Sequence, residues 1–486
     1  MSGRAMPCLG RCAAALAGLL AATPAAAADE NRDLDLIPDA AQQPPAAGTD
    51  SGGPPTAPSR SAPVVTDARQ RIYLENATAA WALRNGLAVP QPGPAPANRQ
   101  ERVFLDARLE SNLDDKLSVT YSGRLNAMAE DDIAFPSHGD VRNDLREAFA
   151  TWEPLPRDYL EVGRINLKSG VASGFNPTDF FKTRAVVDRI SQDPASLREN
   201  RLGTFVLLGQ TIKEGGSLSV AFAPALYTPS PIYPTVLPSF DPMLDRTNAH
   251  DRLLIKGSAN LPGDLDPELL LYREGARTRV GANLSRGVGQ STVLYAEWAG
   301  GDDASLIDDA LAYGRQTGSL PANLPDPLLG GGRKGFQNDL ALGGSYATEN
   351  RITFNLEYHY HETGFTGDDW RNWFTLGTAH PGMLSTTGPL WYIRSYALDQ
   401  QEPVARQSAF LRADWVDAFV PNLELTGFLD VDLYDGSSLA QLTADYYLSN
   451  AWTVGAIASA DLGGARSERG SLPQAASVLL KLVRYF

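Results

Sequence analysis

Two histidines and a glutamate recur at every second position of one stretch near the middle of the chain. In "RITFNLEYHYHETG" (351–364) these residues are Glu357, His359 and His361. Imidazole and carboxylate groups are ligands of Zn²⁺, so these residue types at this spacing suggest a metal site. Alternate residues of one strand lie about 7 Å apart, however, which is too far for tetrahedral binding without ligands from other elements. We therefore expect no metal here, no cofactor, and ordinary polar lining instead.

The residues between them identify the element that carries the histidines. Thr353 and Asn355 extend the polar set, and the intervening positions are apolar or aromatic: Ile352, Phe354, Leu356, Tyr358 and Tyr360. Successive side chains of a β-strand point to opposite faces. The stretch is therefore predicted to be a strand with one apolar face, and the histidines share its polar face.

The same alternation recurs from Arg102 onward, for example in "RVFLDARLE", "LELTGFLDVDL" and "QLTADYYL". It predicts about seventeen strands of about nine to twelve residues each. The segment "RQRIYLENAT" would add one more strand and give eighteen, and sixteen is the alternative even count. No convincing long amphipathic helix interrupts the strands, which excludes a parallel α/β sheet.

The connections alternate in length, with short turns at one rim and long segments at the other. The long segments are 128–142, 168–202, 225–250, 300–335, 361–403 and 461–474. This pattern is typical of an all-β, transmembrane antiparallel up-and-down β-barrel, because only a closed barrel satisfies every backbone group of a sheet in lipid. Aromatic residues near the short turns are expected to form an interfacial girdle: Trp152, Tyr159, Trp415, Tyr446 and Trp452.

The N-terminal part divides into two segments. Residues 1–28 combine Arg4 and Arg11 with a short apolar run and "TPAAAADE", which predicts a signal peptide and Sec export. Residues 29–99 are rich in proline and are predicted to be a periplasmic linker with a short ordered element near 67–85. The barrel is then expected at 100–486.

The composition limits the classes of metal site and partner that the chain can have. The two cysteines, Cys8 and Cys12, both fall in the predicted signal, so the exported chain would have no disulfide and no thiolate metal site. The formal net charge of −15 argues against nucleic acid as a partner.

Two segments resemble known proteins. The terminal "VLLKLVRYF", which ends at Phe486, resembles the last strand of Gram-negative outer-membrane barrels. The segment "LEVGRINLKSGVASGFNPTDFF" resembles uncharacterised proteobacterial outer-membrane barrels of porin-like type. The resemblance implies location in the outer membrane and contact with its lipid and lipopolysaccharide. It also implies recognition of the final aromatic by the barrel-assembly machinery, and homo-oligomers occur among such barrels.

Charged residues at lumen-facing strand positions are candidates for pore lining. They are Asp106, Arg108, Arg124, Arg279, Glu297, Glu357, His359, Arg412, Asp414, Asp430 and Asp445. Segment 168–202 is too long for a plain turn and mixes aromatic with charged residues. It either caps the outside or folds into the lumen as a constriction, and its candidate constriction residues are Asp179, Lys182, Arg184, Asp188 and Arg189.

These observations favour a porin-like channel for passive diffusion of small hydrophilic or charged solutes, because a barrel of sixteen to eighteen strands has room for a water-filled path. An export barrel that works with a periplasmic partner is one alternative. An outer-membrane barrel enzyme is another, although the sequence contains no Gly-x-Ser-x-Gly and no His-Glu-x-x-His motif. We therefore predict a channel and no enzyme.

Overall fold

The computed structural model describes residues 69–93, 96, 98–128, 141–189, 191–232, 240–263, 265–324 and 333–486. The described residues form eighteen β-strands. They are β1 (Arg69–Leu83), β2 (Arg99–Asn112), β3 (Leu117–Met128), β4 (Val141–Leu155), β5 (Asp158–Ile165), β6 (Thr204–Lys213), β7 (Gly216–Ala223), β8 (Arg252–Ala259), β9 (Leu265–Glu274), β10 (Arg277–Val288), β11 (Thr292–Ala304), β12 (Lys334–Ala347), β13 (Ile352–His361), β14 (Gln407–Trp415), β15 (Leu423–Asp432), β16 (Ser438–Ser449), β17 (Trp452–Leu462) and β18 (Gln474–Tyr485).

The strands form one closed antiparallel barrel. Each strand pairs with its neighbours in the chain, and β1 pairs with both β2 and β18. The predicted fold class and the count of eighteen are confirmed. The eighteenth strand is β1, which falls on the segment "RQRIYLENAT".

The barrel begins at Arg69, whereas the boundary drawn from the sequence placed it at 100–486. An even number of strands needs β1, because only then do both ends of the barrel lie at the same rim. The predicted signal peptide 1–28, and the linker as far as residue 68, lie outside the described residues.

Burial alternates along the strands as the sequence pattern predicts. In β13, Glu357 and His359 are buried, while Leu356 and Tyr358, which alternate with them, are 63% and 36% exposed. The exposed strand positions are largely apolar, such as Leu269 and Leu480, and the buried positions include many charged groups, such as Asp106. The barrel therefore has an apolar outer face and a polar inner face.

The two rims differ in the length of their connections. The short-turn rim carries the turns from β2 to β3, from β4 to β5 and every second connection thereafter, together with Phe486. Trp415 ends β14 and Trp452 begins β17 at this rim, as expected for the aromatic girdle. The opposite, long-loop rim carries the long segments, although its β9–β10 and β15–β16 connections are short.

The described residues also form five helices, all in connections at the long-loop rim. They are α1 (Pro194–Glu199), α2 (Leu244–Thr247), α3 (Leu306–Gln316), α4 (Gly367–Ala379) and α5 (Leu384–Gln400). The sequence reading did not find them. Six consecutive residues of α5, Pro389–Arg394, are buried, so this helix lacks the one-sided apolar stripe by which helices are recognised. Among the described helices, none combines the length and apolar character that crossing a membrane requires.

Helices α3, α4 and α5 pack together as a helical cap at the long-loop rim. Their apolar core includes Trp373 and Leu390, and it also takes in Val89, Ile232 and Leu472 from three other connections. The cap is therefore built from connections that start at widely separated strands.

Candidate functional site

Segment 168–202 lies inside the barrel, where the buried carboxylate of Glu297 on β11 holds it. One carboxylate oxygen accepts hydrogen bonds from the backbone N–H groups of Val171 and Ala172, at 2.9 and 3.1 Å. The other accepts from the N–H and hydroxyl of Thr178, at 2.7 and 2.9 Å. A charged acceptor makes these bonds stronger than neutral ones. The carboxylate thus fixes one end of the segment to the inner wall.

A second carboxylate, that of Glu357 on β13, holds the next turn of the same segment. It accepts hydrogen bonds from the N–H groups of Ser173 and Gly174, at 2.6 and 2.9 Å. Two glycines permit this approach. Gly170 has φ +94°, and a Cβ there would lie 2.6 Å from both Glu297 oxygens; a Cβ at Gly174 would lie 2.7 Å from His359.

The two histidines that suggested a metal site bind separate carboxylates. His359 contacts Glu357 at 2.7 Å and the Ser408 hydroxyl at 3.2 Å. His361 contacts Asp339 of β12 at 2.7 Å. Both rings also contact Phe175 in a T-shaped arrangement, at centroid distances of 5.8 and 5.7 Å. Within the part of the chain that the structure describes, no cluster of three or more such side chains is arranged to hold a metal ion.

The segment also reaches the wall formed by β2, β3 and β4. Asp188 pairs with Arg102 of β2, and Asn200 accepts hydrogen bonds from Arg124 and Arg146, at 2.8 and 3.2 Å. The same two arginines bind Asp106, which has no exposed surface, at 2.9 and 2.7 Å. One buried carboxylate therefore organises two of the arginines that meet the segment.

A third wall, formed by β14 and β16, holds the centre of the segment. Arg412 of β14 donates to Asp193 at 2.6 Å and also pairs with Asp414 on its own strand. Gln441 of β16 accepts from the N–H of Gln192 at 2.9 Å. Contacts with three separate walls mean that segment 168–202 crosses the lumen instead of capping the outside.

The other sequence-predicted lining residues pair with charged residues outside the segment, and Arg279 also lies 5.9 Å from the ring centroid of Phe180 in the segment. Arg108 binds Glu110 and Glu147, and Arg279 pairs with Asp339. Asp430 pairs with Arg469 at 3.0 Å, and Asp445 pairs with Lys481 of β18 at 3.0 Å. The structure therefore distributes these residues around the inner wall and does not bring them into one ring.

Four charged residues of the segment bind either the segment itself or the cap. Asp179 pairs with Arg201 at 2.6 Å, and Lys182 pairs with Glu402 at 3.2 Å. Arg184 binds Asp399 of α5 at 2.8 Å, and Arg189 donates to a backbone carbonyl of the same helix. Burial acts to raise the pKa of Asp179, but Arg201 and Arg198 outweigh it and hold that pKa below its ordinary value.

Asp399 joins the segment to the cap, and sequence reasoning missed it. Besides Arg184, it accepts a hydrogen bond from Arg246 of α2 at 2.7 Å. Burial acts to raise the pKa of Asp399, but the two arginines dominate and lower it. No periodic pattern marks Asp399, because it lies on a helix buried on several sides. Asp339 was also missed, although its place among alternating residues of β12 was a usable signal.

No protein-family model matches the sequence, and comparison with curated proteins gives no match. Solved structures do match. OccAB1 of Acinetobacter baumannii is 10% identical with a TM-score of 0.51, over 86% of this chain and 96% of that chain. A BenF-like porin from Pseudomonas fluorescens Pf-5 is 11% identical with a TM-score of 0.50, over 86% of this chain and 98% of that chain. OccAB4 of Acinetobacter baumannii is 9% identical, also with a TM-score of 0.50, over 87% and 98%. At this identity the likeness concerns the fold alone, and the fold shared with these structures is a closed β-barrel.

Proposed function

We propose that this chain is a porin-like channel of the Gram-negative outer membrane, through which small hydrophilic or charged solutes diffuse passively. The observation that carries the proposal is segment 168–202, which crosses a polar lumen and is held on three walls. Such a segment narrows the lumen of a wide barrel, so the side chains beside it determine which solutes pass. One of the matched structures is titled a BenF-like porin, which supports the same reading.

The chain is proposed to reach this membrane by Sec export and to be assembled through its terminal strand. Phe486 ends the chain beside β1, where its N–H donates to the carbonyl of Ile72 at 3.0 Å. The apolar outer face would contact lipid, and the long-loop rim would lie among lipopolysaccharide. We propose transport without catalysis. Cross-linking in native membranes would measure whether the barrel forms homo-oligomers.

Conductance tests this function. The purified protein in a planar bilayer should give steady ohmic steps, smaller than those expected for an unobstructed barrel of eighteen strands. Reversal potential under a salt gradient would then report the charge preference. Silence from protein that is folded, as judged by a heat-dependent gel shift, would refute passive diffusion.

A further inference from the structure

We propose that solutes pass segment 168–202 along the wall formed by β16, β17, β18 and β1, where Lys481 and Asp445 set the charge preference. This inference rests on the proposed channel function and goes beyond it by naming the path and the selecting residues. The first argument is the distribution of contacts. The described hydrogen bonds that tie the segment to the barrel end on β2, β3, β4, β8, β10, β11, β13, β14 and β16.

The second argument is a polar cavity on the wall beside those contacts. It has a volume of about 40 Å³ and lies against β1, β16, β17 and β18. Its lining includes Tyr73, Glu75, Asp445, Thr453, Lys481 and Tyr485. The hydroxyl of Thr453 is buried and has no hydrogen-bond partner among the described residues. A buried hydroxyl without a protein partner is satisfied by water, and the cavity beside Thr453 has room for one.

The third argument is the construction of the charged pair. Asp445 of β16 and Lys481 of β18 both lie opposite Gly455 of β17 in the sheet register. A Cβ at Gly455 would collide with both side chains. The missing side chain therefore lets the ammonium and carboxylate meet across the intervening strand, at 2.9 to 3.0 Å. A solute ion in the cavity would face both charges.

The wall around β8 and β9 is built differently. There Phe180 of the segment stacks on Tyr272 of β9 at a centroid distance of 4.5 Å, and Phe181 meets the same ring edge-on. On β1, by contrast, the inner face beyond the cavity carries Ala77 and Ala79, which cluster with Trp81, Ile457 of β17 and Leu479 of β18. Aromatic side chains of the segment thus occupy the wall at β9, whereas strand residues alone form the apolar cluster at β1, β17 and β18.

The wall around β8 and β9 provides a matched control ion pair. Lys256 of β8 and Glu268 of β9 form a lumen-facing ion pair at 3.1 Å, with side chains 23% and 20% exposed. The corresponding values for Lys481 and Asp445 are 17% and 20%. Ser219 of β7 likewise has a buried hydroxyl without a described partner, as Thr453 does. Each wall therefore has a lysine–carboxylate pair of similar exposure and a buried hydroxyl, so the same substitutions can be compared at both.

The test measures reversal potential and thiol block on protein purified from bacterial outer membranes. Lys481→Gln should shift the cation-to-anion permeability ratio toward cations by about threefold, the effect of one charge about 6 Å from an ion in a water-like medium. Asp445→Asn should shift it toward anions, and Lys256→Gln should leave it unchanged. In Thr453→Cys, a sulfonatoethyl methanethiosulfonate should reduce the current stepwise. The same reagent should leave the current of Ser219→Cys and of the unsubstituted protein unchanged.

The outcomes separate this inference from the proposed function. A conducting protein in which the Lys481 and Thr453 variants behave like wild type would overturn the assigned path and leave the channel function standing. The same holds if the Lys256 and Ser219 variants respond equally. A folded protein that does not conduct would overturn both. If Thr453→Cys fails to fold, the Lys481 and Asp445 variants alone still decide between the walls.

Discussion

Replacing Glu297 with glutamine should release the first turn of segment 168–202 from the wall. Glu297 has no exposed surface. One of its oxygens accepts two hydrogen bonds from the segment, and the other accepts three, the third from the Asn176 side-chain amide at 3.4 Å. Glutamine keeps the shape but turns one oxygen into an NH₂ group. At least two N–H or O–H donors then face another donor, whichever way the amide is turned.

The magnitude follows from the number of bonds lost. Hydrogen bonds to a charged group contribute about 1.5 to 3 kcal/mol each, so losing two should weaken the attachment by at least about 3 kcal/mol. Since about 1.4 kcal/mol corresponds to a factor of ten, local opening should become roughly 100-fold more frequent. The attachment of Asp193 to Arg412 is independent and should keep the centre of the segment in place.

Hydrogen exchange measures this opening directly. In Glu297→Gln, the amides of Val171, Ala172 and Thr178 should exchange about 100-fold faster, while the strands keep their protection. Glu161→Gln is the control, because Glu161 is a carboxylate on β5 whose described hydrogen bond is to Thr151 and not to the segment. Unchanged exchange in a folded Glu297→Gln barrel would refute the view that this carboxylate anchors the segment.

Three further changes test other parts of the structure. Two arginines lower the pKa of Asp399, so its ionised carboxylate stabilises the cap at pH values above the ordinary pKa of 3.8, and this stabilisation is lost as the pH falls through the lowered pKa of the folded protein. At about pH 4, pepsin should therefore cut α5 of Asp399→Asn, whereas the wild-type protein still resists. Leu356→Arg places a charge on the apolar outer face and should cost about 2 to 4 kcal/mol in urea unfolding from vesicles, whereas an unchanged midpoint would contradict membrane contact there. Asp106→Asn leaves Arg124 and Arg146 without their shared carboxylate and should destabilise the barrel by about 3 to 5 kcal/mol, again by urea unfolding. A loss below about 1 kcal/mol would mean that water replaces the carboxylate.

Strand alternation is the part of this fold that a sequence can reveal. A one-residue shift would move every charged group of β13 to the outer face, so the pattern of Glu357 and His359 against Leu356 fixes both the strand and its orientation. Predicting the number of strands required one more physical rule, namely that the first and last strands of the barrel have their chain ends at the same rim. That rule identified the segment that forms β1, even though its neighbouring prolines suggested a linker.

The interior contacts could not be derived in the same way. Segment 168–202 was recognised as long, aromatic and charged, yet its partners lie on strands far away in sequence. Glu297 was predicted to line the pore, and nothing in its local pattern indicates that it accepts hydrogen bonds from residues 171–178. The glycines of "SGVASG" were the available signal, because they mark a backbone that approaches other groups closely.

The arrangement of charges limits how such a barrel can select solutes. Most buried charges of the lumen are matched within the protein, as Asp106 is by Arg124 and Asp193 is by Arg412. A paired, hydrogen-bonded charge offers little net attraction to a passing ion, because its field is largely cancelled nearby. Selection then falls to pairs that border water and can exchange partners with a solute. Lys481 and Asp445 meet that condition at a hydrated cavity, which is why the charge preference is expected to depend on them and not on the many arginines that hold segment 168–202.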